Sequence, residues 1–325
     1  MMTSSRESQA TRWLRPSGKT LGVLAVAGLV CAFSLSSTLV KRAETPGVLV
    51  AFWRMAVVSV AWNAYLWSTG RRVTLQHVRQ ALIPGLLLGL NLASFFVGAT
   101  HNSVANAALI GSLSPFLIVP LGALLFNERH NKGALAFALV AFGGAGLVLL
   151  NAPAHGDASV RGNLFGLLAM VLWTGYVVTT RHFRRDMDVA TYMATVSPIA
   201  AVGLLPLALG GQSSLAMSST GWTYTLVLAL LTGVTAHGLL VFAQKTIQIG
   251  TIGISQVVQP ALAVTWSFLL LDERLRNGQV LGITVAMAGL LAFLLLNRPA
   301  STPPIPRQRE APRSAAVAPA TRSPN

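Results

Sequence analysis

A few polar side chains interrupt long apolar runs in this sequence, and their spacing gathers them onto shared helical faces. Ser255, Gln256 and Gln259 fall together by three- and four-residue spacing. Side-chain amides both donate and accept, which suits a zwitterionic or neutral polar ligand, although the same groups also hold apolar helices together. Trp173, Tyr176 and Thr180 recur at i, i+3 and i+7, and Trp173 lies too deep in its run to belong to an interfacial aromatic belt. That face serves either ligand contact or packing. Asn91, Ser94 and Gly98 share another face, as do Gly233, His237 and Gln244. His237 is a candidate proton carrier, with a hydrogen-bonded packing role as the alternative.

Two prolines add backbone chemistry. Pro115 and Pro260 each stand in the middle of an apolar run, where they remove a backbone donor and free the carbonyls of Gly111 and Gln256 four residues earlier. Within a membrane such carbonyls are tolerated where protein or a wet cavity satisfies them, so the reading is either a cavity or a packing kink. Ser114 and Gln259 immediately precede the two prolines. Arg54 sits eight residues, roughly 12 Å, into its run and so requires a partner. The options are snorkelling to the outer surface, pairing at a gate, or an anionic substrate.

Several chemistries are excluded or disfavoured. Gly18-Lys19-Thr20 mimics the end of a phosphate-binding loop, but Trp13 stands where its first glycine belongs, which argues against ATP as the driving force. None of the nine Asp and Glu residues falls at mid-membrane depth, which weakens a carboxylate-based proton exchange. Cys31 is the single cysteine, so no internal disulfide and no cysteine-based metal site are available. No cofactor is expected. Ser255 with His237 raises an intramembrane serine protease as a rival, but Gln256 stands where the usual motif has glycine. A membrane sensor or scaffold is a further rival, though no soluble effector region accompanies the apolar runs.

The elements that must position these residues follow from composition. Hydrophobic residues make up 53% of the chain and charged residues 10%, against roughly 25% charged in an ordinary soluble domain. Runs bounded by charge, Gly and Pro predict ten membrane helices in an all-α fold, at about 20–40, 46–68, 81–100, 103–126, 133–151, 163–183, 188–210, 220–243, 249–271 and 277–297. The Pro-rich stretch from 298 to 325 reads as disordered.

Sliding the chain by 145 residues superposes Pro115 on Pro260, Glu128-Arg129 on Glu273-Arg274, and Gly144 on Gly289. Each half is then five helices, and an odd number inverts one half relative to the other. The net charge of +15 is distributed between the apolar runs rather than on one amphipathic face, so it speaks for orientation and against nucleic acid. With the N-terminus inside, 18 of the 24 Lys and Arg fall on inner segments. Inverted repeats provide a route to alternating access, because the two halves can exchange conformations.

At this point the residues resemble the drug/metabolite transporter superfamily, in its branch with two EamA-type domains. The resemblance covers about 20–297 and rests on the five-helix repeat, Phe52-Trp53-Arg54, Leu90-Asn91-Leu92, and the spacing from proline to Asn127-Glu128-Arg129, repeated as Asp272-Glu273-Arg274. It implies ten helices, both termini cytoplasmic, a central cavity lined mainly by helices 1, 3, 4, 6, 8 and 9, and export of amino acids, metabolites or drugs.

The expected organisation is an inner segment 1–19, a first repeat 20–151, an external linker 152–162, a second repeat 163–297 and a cytoplasmic tail 298–325. The protein is expected in the plasma or inner membrane. Gln256, Gln259 and Trp173 are the foremost substrate contacts, followed by Asn91, Ser114, Tyr176 and His237. Pro115, Pro260, Arg54, Glu128 and Glu273 are assigned to structure or gating, the two Glu-Arg loops as ion pairs at helix ends. The expected partners are a small molecule and the lipid bilayer. A second copy of the chain stays open.

Overall fold

The computed structural model describes residues 18–101, 110–151, 159–184, 187–210, 214–271 and 276–297. The segments expected at 1–19, 152–162 and 298–325 lie mostly or wholly outside these residues, and so does Glu273. Among the described residues every regular element is helical. We label them α1 (Gly18–Arg42), α2 (Gly47–Ser68), α3 (Leu75–Thr100), α4 (Ile110–Phe126), α5 (Lys132–Leu150), α6 (Val160–Phe183), α7 (Val189–Gly210), α8 (Ser219–Ala243), α9 (249–271, built from Ile249–Ser255, Gln256–Val258 and Gln259–Leu271) and α10 (Asn277–Leu296).

Eight of them are long and apolar enough to cross a membrane; α4 is shorter, and α9 is interrupted by a 3-10 turn. The eight fall short of the expected ten by these two, the elements that carry Pro115 and Pro260. Many large apolar side chains, Leu24, Leu124, Leu150, Leu164 and Leu291 among them, are exposed, as suits a surface that faces hydrocarbon.

Helix α3 starts earlier than its apolar run predicts, at Leu75 instead of about 81. The Thr74 hydroxyl accepts from the His77 amide while the His77 ring accepts from the Thr74 amide, a reciprocal cap that recruits polar residues into the first turns.

Packing follows small residues. Helix α5 lies along α10, where a methyl group added at Gly144 would strike the backbone of Ala286. Helix α3 lies along α6, α1 against α8, α4 against α9, and α7 against both α2 and α3. Within α8 the residues Ala229–Ala236 form a π-helical stretch, and the backbone amide of His237 reaches the Thr232 carbonyl five residues earlier.

Candidate functional site

Between the halves lies a cavity of about 140 Å³. Its lining comes from α1, α3, α4, α6, α8 and α9, the six helices that the resemblance names, with Arg54 added from α2. Gln256, Gln259, Trp173, Asn91, Ser114, His237 and Pro260 all line it.

The two amides of α9 engage each other across one turn: Gln259 Nε2 donates to Gln256 Oε1 at 3.3 Å. Asn91 has a double role, because its Nδ2 donates to the Ala169 carbonyl at 2.8 Å and so ties α3 to α6 at the cavity wall. Tyr176 does not reach the cavity. It is fully buried behind it, its ring centroid 5.6 Å from Trp173 and 6.0 Å from His237. Its neighbour on the same face, Thr180, shares a 2.7 Å hydrogen bond with the Tyr192 hydroxyl and so ties α6 to α7.

The prolines act differently from expectation. The carbonyl freed by Pro115, that of Gly111, accepts from the Ser114 amide at 3.2 Å, and the carbonyl freed by Pro260, that of Gln256, accepts from the Gln259 amide. Each proline therefore follows a tightened turn that retakes the carbonyl within the chain, at equivalent positions of the two repeats. What the turns offer the cavity is side chains, Ser114 on one and Gln256 with Gln259 on the other.

Arg54 does not snorkel. It is 1% exposed and lines the cavity, and its guanidinium carbon stands 5.7 Å from the centroid of the Phe96 ring. Its Nη2 lies 3.5 Å from His237 Nδ1, which itself sits 2.6 Å from the Thr232 carbonyl. A carbonyl only accepts, so the shorter contact places the proton of a neutral imidazole on Nδ1 and leaves Nε2 with the lone pair. The π-helical stretch creates this arrangement by bringing the Thr232 carbonyl to the His237 ring as well as to its backbone amide. Phe33 meets the ring edge-on at 4.9 Å.

Glu128 lies away from the cavity, and its partner is not Arg129. Its two carboxylate oxygens accept from the backbone amides of Ile249 and Gly250, at 2.8 and 3.0 Å, so it caps the N-terminus of α9 from the other half of the chain. Ser255 is buried and donates to the Thr251 carbonyl at 2.8 Å, and it is absent from the cavity wall. The protease arrangement is therefore not assembled. Gln244 likewise turns away, donating to the Val177 carbonyl at 3.3 Å.

Sequence reasoning passed over Phe33, Ser34, Phe95, Phe96 and Ser112, all of which line the cavity. A signal existed for Ser34, a hydroxyl within the first apolar run. In the structure its oxygen accepts from Trp266 Nε1 at 2.8 Å, bridging α1 and α9. The phenylalanines carry no signal, since an aromatic ring in an apolar run looks the same facing lipid or cavity.

The model of the EamA-like transporter family matches the chain twice, over residues 20–150 and 160–295, so the chain belongs to that family and is built from two repeats of it. It is a multi-pass membrane transporter and not an enzyme. Among its relatives is a pseudopaline exporter of Pseudomonas aeruginosa, 27% identical over 59% of this chain and 67% of the exporter. Another is a riboflavin transporter of Brucella anthropi, 23% identical over 60% of this chain and 70% of that protein. A solved crystal structure shares the fold with a TM-score of 0.70 at 21% identity, covering 87% of this chain and 98% of its own.

Proposed function

We propose that this protein is a secondary transporter that exports small polar metabolites or drugs from the cell by alternating access, through the cavity between its two halves. The observation that carries this reading is the cavity itself: both repeats contribute polar side chains to it, from tightened turns that precede equivalent prolines. In this reading Gln256, Gln259 and Trp173 contact substrate, with Asn91, Ser114 and His237 completing the wall and Tyr176 backing it. The turns at Pro115 and Pro260 are the points about which α4 and α9 bend. Ten crossings, with α4 and α9 completing the eight, put both termini on one side; the excess of Lys and Arg on the inner segments makes that side the cytoplasm, and five crossings per half invert the halves. The packing pairs support a two-fold relation of the repeats, since exchanging the halves converts α3 on α6 into α8 on α1 and leaves α5 on α10 and α4 on α9 unchanged.

The test is flux: purified protein in liposomes without ATP should move a substrate, found by screening metabolite efflux from cells with and without the protein, down its gradient or by counterflow. Strict dependence on added ATP would refute the reading. Orientation is tested separately in a Cys31→Ser background. Arg72→Cys should be shielded from impermeant thiol reagents in intact cells and Ser214→Cys should react; the opposite pattern would overturn the inverted arrangement.

A further inference from the structure

We infer that the transported substrate carries a carboxylate, and that this carboxylate is the counterion of Arg54. The inference rests on the transport reading above and names the class of molecule that the same cavity selects.

Arg54 is a charged side chain at 1% exposure, and its Nε and Nη1 have no hydrogen-bond partner among the described residues. His237, Phe96 and the carboxylates Glu128 and Asp188 each fail as a counterion for a physical reason. His237 Nδ1 stands 3.5 Å away but directs its proton to the Thr232 carbonyl, so two donors face each other there. Phe96 presents a neutral ring. Glu128 is engaged by the backbone of α9, and Asp188 is 2.8 Å from Arg71 at a helix end. No carboxylate lines the cavity among the described residues.

A guanidinium held out of water without an anion is costly, and the cost is offset when a ligand brings the anion with it. The planar fork of donors matches a carboxylate in two parallel hydrogen bonds. The rest of the wall defines what accompanies the anion. Phe33, Phe95, Phe96 and Trp173 line the same cavity as Arg54, so the ligand has an apolar body rather than being a bare inorganic ion.

The experiment uses purified full-length protein and three matched pairs of probes: benzoate, phenylacetate and 3-phenylpropionate, each against its own primary amide, with sodium phosphate and sodium chloride as inorganic anions. Thermal stability and tryptophan fluorescence are read in the wild type and in Arg54→Met and Arg54→Lys. At least one carboxylate should bind the wild type about tenfold or more tightly than its amide, as expected for a charged hydrogen-bonded contact. That preference should vanish in Arg54→Met and persist, weakened, in Arg54→Lys.

Arg54→Met should also melt at or above the wild-type temperature without ligand, because it removes an uncompensated buried charge. An arginine that merely holds the fold together would give the opposite shift. Equal binding of acid and amide, no response to any carboxylate, the same response to phosphate or chloride, or a markedly lower melting temperature for Arg54→Met would each overturn the inference. Flux separates it from the transport reading. Transport of a neutral substrate unaffected by Arg54→Gln sinks this inference alone, whereas carboxylate binding with no flux in liposomes sinks the transport reading alone.

Discussion

The carboxylates Glu128 and Asp188 at helix ends and the cation Arg54 at the centre of the molecule are treated in opposite ways. At the ends, Glu128 gives both oxygens to the amides that open α9, and Asp188 accepts from the Ala190 and Thr191 amides and the Thr191 hydroxyl while holding Arg71. At the centre, Arg54 keeps Nε and Nη1 unmet and His237 keeps Nε2 unmet among the described residues. Buried polar groups are ordinarily satisfied, so the unmet donors of Arg54, which lines the cavity, set it apart from the two carboxylates that complete the fold.

The comparison breaks most visibly at the centre. Gln259→Ala and Trp173→Ala should weaken substrate affinity by roughly 5- to 150-fold, the range for leaving a polar partner unpaired, while expression and melting temperature stay near wild type. Flux kinetics alongside thermal denaturation check this. If both variants lose folded protein, or keep unaltered kinetics, these residues are helix glue and the centre is no different from the ends.

At the ends the expected pattern is reversed. Glu128→Gln keeps the shape but removes the charge that faces the opening amides of α9, so stability should fall by about 1 to 3 kcal/mol with substrate preference unchanged. A melting curve with a substrate-selectivity series decides it. A changed selectivity with unchanged melting would move Glu128 from fold to function.

The smallest effect belongs to Asp188. Partial burial raises its pKa, but the hydrogen bonds from Thr191 and the charge of Arg71 outweigh this and leave it below the usual aspartate value. A depressed carboxylate contributes stability that is present above its unfolded pKa of about 3.9 and lost as pH falls through the folded value. Because the pair with Arg71 is partly exposed, at 40% and 45% of the two side chains, the contribution is at most about 1 kcal/mol. Melting temperature should therefore be level near neutrality and decline on strong acidification, and Asp188→Asn should flatten that decline.

These contrasts mark what a single sequence makes legible. Helical period collected Gln256 and Gln259 onto one side, the deep position of Trp173 singled it out, and the 145-residue repeat paired Pro115 with Pro260 without reference to coordinates. All are local or translational properties of the chain, which is why spacing reveals them. The low charged fraction of 10%, together with the length of the apolar runs, likewise pointed to membrane helices.

Only the tertiary structure decided which partner each polar group meets. Glu128 finds its amides 121 residues further along the chain, and Asn91 finds its carbonyl 78 residues away. Arg54 is read from sequence as a charge in need of a partner, whereas its burial beside His237, 183 residues distant, depends on how α2 packs against α8. The tautomer of His237 depends on a π-helical turn that no propensity announces. Phe33 and Phe95 join the cavity wall because of helix rotation, which apolar periodicity leaves open when lipid and cavity accept the same rings. Hydrophobic patterning specifies which segments leave water, and side-chain pairing across the bundle specifies which of their polar groups remain available.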